Sequence, residues 1–278
     1  MTTASTLEDY SRLCVHTITT KAWSIEEAMD RYVAAGIGGI TVWQDALKQR
    51  KASLIGEQLR ARDLSIVSLC RGGFFPAKSA QERQQSINDN RRSIELAAEL
   101  GAPSVVLVCG AVPGQSLDTS RQQISEGIAA ILPDAEAAGI RLSIEPLHPM
   151  YADDRSAINS MAQANQLCDQ FDHPLLGIAV DVYHLWWDDQ LEQQIQIAAK
   201  KQRLFAFHIC DWMTPTTDLL NDRGLMGEGC IPVKTIRNYM ETNGFNGFNE
   251  VEIFSNRWWQ ANPEHFLQQI QQSYLKHS

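Results

Sequence analysis

Four polar side chains stand at the ends of apolar runs in this 278-residue chain: Glu145 in RLSIEP, Asp181 in LGIAVDVYH, His208 in LFAFHICD and Glu252 in NEVEIF. A carboxylate buried without compensation is costly and tends to take up a proton, so the same oddity at four places calls for a common cause. Three carboxylates and one imidazole form a mostly oxygen donor set, suited to one divalent cation: Mn2+, Mg2+, Co2+ or Zn2+. The competing explanation pairs each acid with a nearby cation such as Arg141, Lys201 or Arg203. Those cations flank strand starts and would project at the opposite face, which favours the metal for the set as a whole. His184, three residues beyond Asp181, is placed to meet whatever the metal binds.

Bringing four such groups to one point requires parallel strands that end side by side. Short β-branched runs alternate with segments of helical period along the whole chain, the pattern of repeated βα units. Eight strands are expected, at residues 12–18, 38–43, 64–69, 104–109, 140–145, 176–182, 204–209 and 249–254. Between the first two, SIEEAMDRYVAAG carries a capping box in Ser24 and Glu27 and a stop at Gly36. Eight repeats of this length predict an α/β fold, a single (β/α)8 TIM barrel at about residues 12–275, within one domain spanning 1–278. An open doubly wound sheet would carry a glycine-rich phosphate turn after its first strand, where this chain reads HTITTKAW. In a barrel the chemistry gathers where strands end at the C-terminal face, and all four polar groups fall there.

Composition narrows the function further. The chain is 44% hydrophobic and 21% charged with a net charge of −9, and it has no basic cluster, which argues against a nucleic-acid partner. No apolar run approaches a membrane span, and the N-terminus lacks the features of a secretion signal, so a cytoplasmic protein with no membrane partner is expected. Six cysteines without a CxxC pair fit reduced thiols in such a compartment.

The segments IEP (Glu145), DVYH (Asp181, His184), HICD (His208), R-x-x-x-GEG (Arg223 to Gly229) and EVEIF (Glu252) occur in this order. Together they resemble the xylose-isomerase-like barrel superfamily, whose members include sugar isomerases and epimerases of the D-tagatose 3-epimerase and inosose isomerase kinds. The resemblance spans about residues 12–272. It implies that Glu145, Asp181, His208 and Glu252 hold one divalent metal, that Glu145 and Glu252 also act as the catalytic acid/base pair, and that His184 and Arg223 grip substrate oxygens. The chemistry is coherent: a cation on a ketone and its neighbouring hydroxyl acidifies the C–H between them, and a carboxylate on each side removes and returns the proton.

The sequence also departs from the ketose 3-epimerases of that superfamily. They carry a substrate-contacting Glu six residues after the first metal ligand, where this chain has Tyr151. EPLHP instead offers His148, closer to the inosose-isomerase-like members. His16, at the end of the first strand, is a further expected substrate contact, and Asp211 is expected beside the metal ligands. The pairs Trp186–Trp187 and Trp258–Trp259 could wall the pocket or bury a homo-oligomer interface. The expected activity is metal-dependent isomerisation or epimerisation of a small carbohydrate, keto-inositol or keto acid through an enediolate. A lyase or dehydratase using the same site is the alternative. A metal-dependent endonuclease fits poorly with the acidic charge and the missing extra ligands. A non-catalytic sugar-binding protein fits poorly because both acid/base glutamates are present.

Overall fold

In the computed structural model, which describes residues 6–278, the expected strands pair in parallel and close on themselves. They are β1 (Leu13–His16), β2 (Gly39–Trp43), β3 (Ser65–Gly73), β4 (Ser104–Val108), β5 (Arg141–Glu145), β6 (Leu176–Asp181), β7 (Leu204–Ile209) and β8 (Asn249–Val251). Around the ring the order is β1, β8, β7, β6, β5, β4, β3, β2, which makes the chain a (β/α)8 TIM barrel. The strands read as near-continuous apolar runs because both faces of a parallel sheet are covered, one by helices and one by the barrel interior.

The helices start and stop where local chemistry dictates. Ser24 and Glu27 form the expected capping box at the start of α1 (Ile25–Ala34), whose Ile25, Ala28, Met29 and Tyr32 form one buried face. Gly36, just beyond it, takes the expected left-handed turn at φ 72°.

Three strands depart from the sequence reading: β1, expected at 12–18, is confined to Leu13–His16, and the other two are β3 and β8. Strand β3 runs on to Gly73 through an irregularity between Cys70 and Gly72. Gly73 has φ +104°, and a Cβ there would lie 1.9 Å from the Val108 carbonyl oxygen, so the close approach of β3 to β4 requires glycine. Strand β8 ends at Val251, one residue short of Glu252, whose N–H still donates to the Ile209 carbonyl at 3.2 Å.

Register sets the depth of the functional groups. Val108 is level with Glu145, and Asp181 is level with His208. Cys70, Val106, Ala179 and Ala206 form a compact cluster of buried side chains. The cations that offered an alternative explanation for the four polar groups are engaged elsewhere. Lys201 and Arg203 pair with Asp169, Arg203 also with Asp172 at 2.9 Å, and Arg141 lies over the Phe205 ring. All six cysteines are free thiols, and five are buried. Among the described residues no helix is long and apolar enough to cross a membrane.

Candidate active site

Glu145 ends β5, Asp181 ends β6, His208 lies on β7 and Glu252 follows β8, so four neighbouring strands deliver their side chains to one place. One donor atom from each lies within 4.8 Å of all the others, and all four residues are buried. Nδ1 of His208 and Oε1 of Glu145 are 2.8 Å apart, yet neither is satisfied by a hydrogen bond because the ring N–H direction misses the oxygen. A divalent cation that displaced a His208 ring proton would satisfy both atoms, so the residues present fit a divalent metal.

Arg223 enters this cluster from the side. Its Nη1 donates to Glu252 Oε2 at 2.7 Å and to Asp181 Oδ2 at 3.1 Å, and its guanidinium lies over the Tyr183 ring at 4.3 Å. The pairing explanation therefore holds for two of the acids, through a cation that the sequence reading had assigned to substrate. The Arg223 backbone is fixed by a two-residue antiparallel ladder, Asp211–Trp212 against Arg223–Gly224. Asp211 organises the loop that follows: its carboxylate accepts from the backbone N–H groups of Trp212, Gly227 and Ile231, each at 2.8 Å. In this structure Asp211 is thus a scaffold of the R-x-x-x-GEG segment.

Beside the four donors, in register with His208, lies Glu250, which the sequence reading did not select. It is buried, accepts from Thr41 Oγ1 at 2.6 Å, and its Oε2 is 3.3 Å from His16 Nε2 and 3.8 Å from His208 Nε2. The available signal is its position two residues before Glu252, since residues i and i+2 of a strand share a face. His16, expected to touch substrate, is fully buried between Glu250 and Glu252, with Nδ1 3.2 Å from Glu252 Oε1 and its ring edge-on to His208. It is absent from the cavity lining, yet a ring nitrogen of His16 lies within 4.8 Å of donor atoms of His208 and Glu252, so it adjoins the donor set as a second imidazole.

Charges in this cluster are strongly perturbed. Burial raises the Asp181 carboxyl to about 7 against the pull of Arg223. Burial also acts to raise Glu252, but Arg223 and His16 outweigh it and hold the carboxyl well below its usual range. For His16, burial opposes the charged form, yet Glu250 and Glu252 lift the imidazole to about 9. For His208 the same opposition is overcome by Glu250 and Glu145, to about 10. His184 goes the other way: burial and the Arg223 charge push it well below its usual value, so it is neutral.

His184 follows Asp181 in the short helix α2 (Val182–Leu185), which Asp181 caps by accepting from the Tyr183 N–H at 2.8 Å. Its Nε2 is 3.2 Å from Arg223 Nη2. With Nε2 accepting, the proton of neutral His184 sits on Nδ1, which has no partner among the described residues. His184→Ala should weaken binding of a sugar-like ligand about tenfold, the worth of one hydrogen bond to a buried group, while metal content measured by elemental analysis stays unchanged.

A cavity of about 200 Å3 opens over these groups, lined by Glu145, His184, Arg223 and Glu252 together with Trp43, Arg71, Val108, Leu147, Tyr151, Arg155, Leu220 and Phe254. A larger groove of about 630 Å3 beside β3 shares only Arg71 with it and contains none of the four donors. Convergent polar groups, not volume, mark the smaller cavity as the site. Tyr151 does line it, and its hydroxyl donates to the Leu219 carbonyl. His148 does not: its Nδ1 accepts from the Met150 N–H at 3.2 Å, and its ring packs against Trp187 and Trp212. The tryptophan pairs also stand outside the lining, where Trp43 serves instead.

Fold and site together define a (β/α)8 barrel whose C-terminal mouth gathers three carboxylates and a histidine. The chain belongs to the xylose isomerase-like TIM barrel family, which it matches over residues 29–275. It is 22% identical to an inosose isomerase of Bacillus velezensis over 223 residues, 78% of this chain and 77% of that protein. It is 26% identical to a 3-dehydroshikimate dehydratase of Pseudomonas putida over 163 residues, 58% of this chain but only 25% of the dehydratase's length. Among solved structures, a Sinorhizobium meliloti protein superposes with a TM-score of 0.91 at 45% identity, covering 95% of this chain and 97% of the other. A zinc-bound IolI protein superposes with a TM-score of 0.82 at 18% identity, covering 95% and 96% of the two chains.

Proposed function

We propose that this protein is a divalent-metal-dependent isomerase or epimerase that moves a proton beside the ketone of a sugar, keto-inositol or small keto acid. The observation that carries this reading is the cluster of Glu145, Asp181, His208 and Glu252 donors within 4.8 Å of one another, with buried, unsatisfied atoms on Glu145 and His208. The zinc in the IolI structure and the isomerase among the relatives support it. Bound there, the cation supplies Lewis-acid polarisation of a ketone and its adjacent hydroxyl.

The chain's own residues supply the rest. Glu145 ends β5 and Glu252 follows β8, the strands that bracket β6 and β7, and both line the cavity. One takes the proton from the carbon beside the ketone; returning it to the neighbouring carbon isomerises, and returning it to the opposite face epimerises. His184, neutral, donates through Nδ1 to a substrate oxygen, and Arg223 Nη2 holds its ring in place. Val108, Leu147 and Phe254 give the cavity an apolar wall that limits water around the proton in transit. The relationship to the dehydratase favours one second reading, loss of a β-leaving group from the same enediolate.

Two measurements test the proposal. Elemental analysis should find about one divalent ion per chain, and chelation should lower the melting temperature by about 4 °C, the effect of removing a ligand present at roughly a hundred times its dissociation constant. In D2O, the metal-loaded protein should incorporate deuterium beside the ketone of its substrate, with product analysis by NMR separating isomerisation from elimination. Full activity in metal-free protein that chelator leaves unchanged would sink the reading.

A further inference from the structure

Three arginines and two glutamates line the cavity, although the chain as a whole carries a net charge of −9. Arg223 is accounted for by Asp181 and Glu252. Arg71 and Arg155 are not. Neither makes a side-chain hydrogen bond or an ion pair with any described residue, and Asp153 and Asp154, next to Arg155 in sequence, do not pair with it.

Both guanidinium groups are nevertheless held in place. Arg71 lies over the Phe74 ring at 4.4 Å and near Trp43 at 5.8 Å, and Arg155 lies over Tyr151 at 5.4 Å. Stacking uses the face of the guanidinium and leaves its in-plane N–H fork free, the geometry that receives a carboxylate or phosphate. The two groups also feel one another: burial and the Arg155 charge lower the Arg71 guanidinium from its usual value, against the weaker pull of Glu145 and Glu252. Two like charges at one small cavity, each oriented by an aromatic ring, repel until an anion lies between them.

Building on the proposed proton-transfer reading, we infer that the substrate is anionic, a small hydroxyketone bearing a carboxylate or phosphate that Arg71 and Arg155 clamp while the ketone end meets Glu145 and Glu252. This clamp selects charged substrates over the neutral sugars that the rest of the site would accept. It also opposes the long-range repulsion of an acidic protein, which salt screens beyond about 8 Å.

Calorimetric titration of the metal-loaded protein with 5-keto-D-gluconate, D-fructose 6-phosphate and D-fructose tests the inference. At least one of the two anions should bind ten-fold or more tightly than D-fructose, and the tighter of them identifies carboxylate or phosphate. Arg71→Gln combined with Arg155→Gln should erase that margin, a loss of about ten- to a hundred-fold for the anion. Affinity for D-fructose, metal content and melting temperature should barely move, because neither arginine has a hydrogen-bond or ion-pair partner among the described residues to abandon. Equal binding of charged and neutral ketones, no saturable binding of either anion, or an anion preference that survives the double substitution would overturn the clamp. Failure of the proton-transfer reading looks different: arginine-dependent anion binding would persist in a protein without metal or C–H exchange.

Discussion

Glu252→Gln should keep its metal and lose its chemistry. The substitution preserves size and one oxygen donor but removes the proton acceptor, so exchange of a substrate C–H with D2O should slow by about 10²- to 10⁴-fold. Glu145→Gln should behave alike for the other half of the transfer. If each glutamate serves one face of the carbon, each variant should still exchange the proton that its intact partner handles, and the two losses will separate when substrate and product are used in turn. Metal content must be measured on the same samples, because both residues belong to the donor set. A metal-loaded Gln variant exchanging at the original rate would exclude that carboxylate from proton transfer.

Arg223→Met carries the second large effect, and it falls on stability. Arg223 is buried and its Nη1 contacts Asp181 and Glu252 together, so removing it leaves two carboxylates without their cation. Breaking a buried pair from one side costs about 3 kcal/mol, which for a barrel of this size lowers the melting temperature by about 5 °C. The loss should be largest in chelated protein and shrink when a divalent ion is supplied, since the ion compensates the same carboxylates. Arg223→Lys keeps the charge without the fork and should fall between. Equal destabilisation with and without metal would show that Arg223 acts through packing on Tyr183 and not as a counter-ion.

The barrel was legible because its strands are marked twice, by β-branched runs and by the capped helices between them. The four donors were legible for a related reason: an acid or imidazole closing an apolar run conflicts with burial, and four such conflicts on consecutive strands share a solution. Glu250 escaped because it has the same chemistry as its neighbour Glu252 and sits in mid-strand, where alternation carries little information when both strand faces are buried. His16 was legible as an inward-facing group, but its sequence position does not show that its ring is enclosed by Glu250, Glu252 and His208. Arg71 and Arg155 lie where backbone irregularity and loop geometry decide the direction of a side chain, and neither leaves a periodic trace. That neither Arg71 nor Arg155 has an ion-pair partner among the described residues is a property of the fold, visible only once every nearby acid has been assigned.

Transplanting the four donors onto another barrel would fail unless the groups beside them travelled too. Glu250 bridges toward two imidazoles and is itself held by hydroxyls of Thr41 on β2 and Ser68 on β3. A host with aliphatic residues at those positions would receive three mutually repelling acids without the Glu250 charge that favours protonated imidazoles beside them, and a His208 ring with nothing to set its rotation. The smallest portable unit is therefore not a quartet on neighbouring strands but a plug that reaches around the ring from β3 through β2 and β1 to β5, and protein engineers who copy the visible half should expect a mouth that its own charges force open.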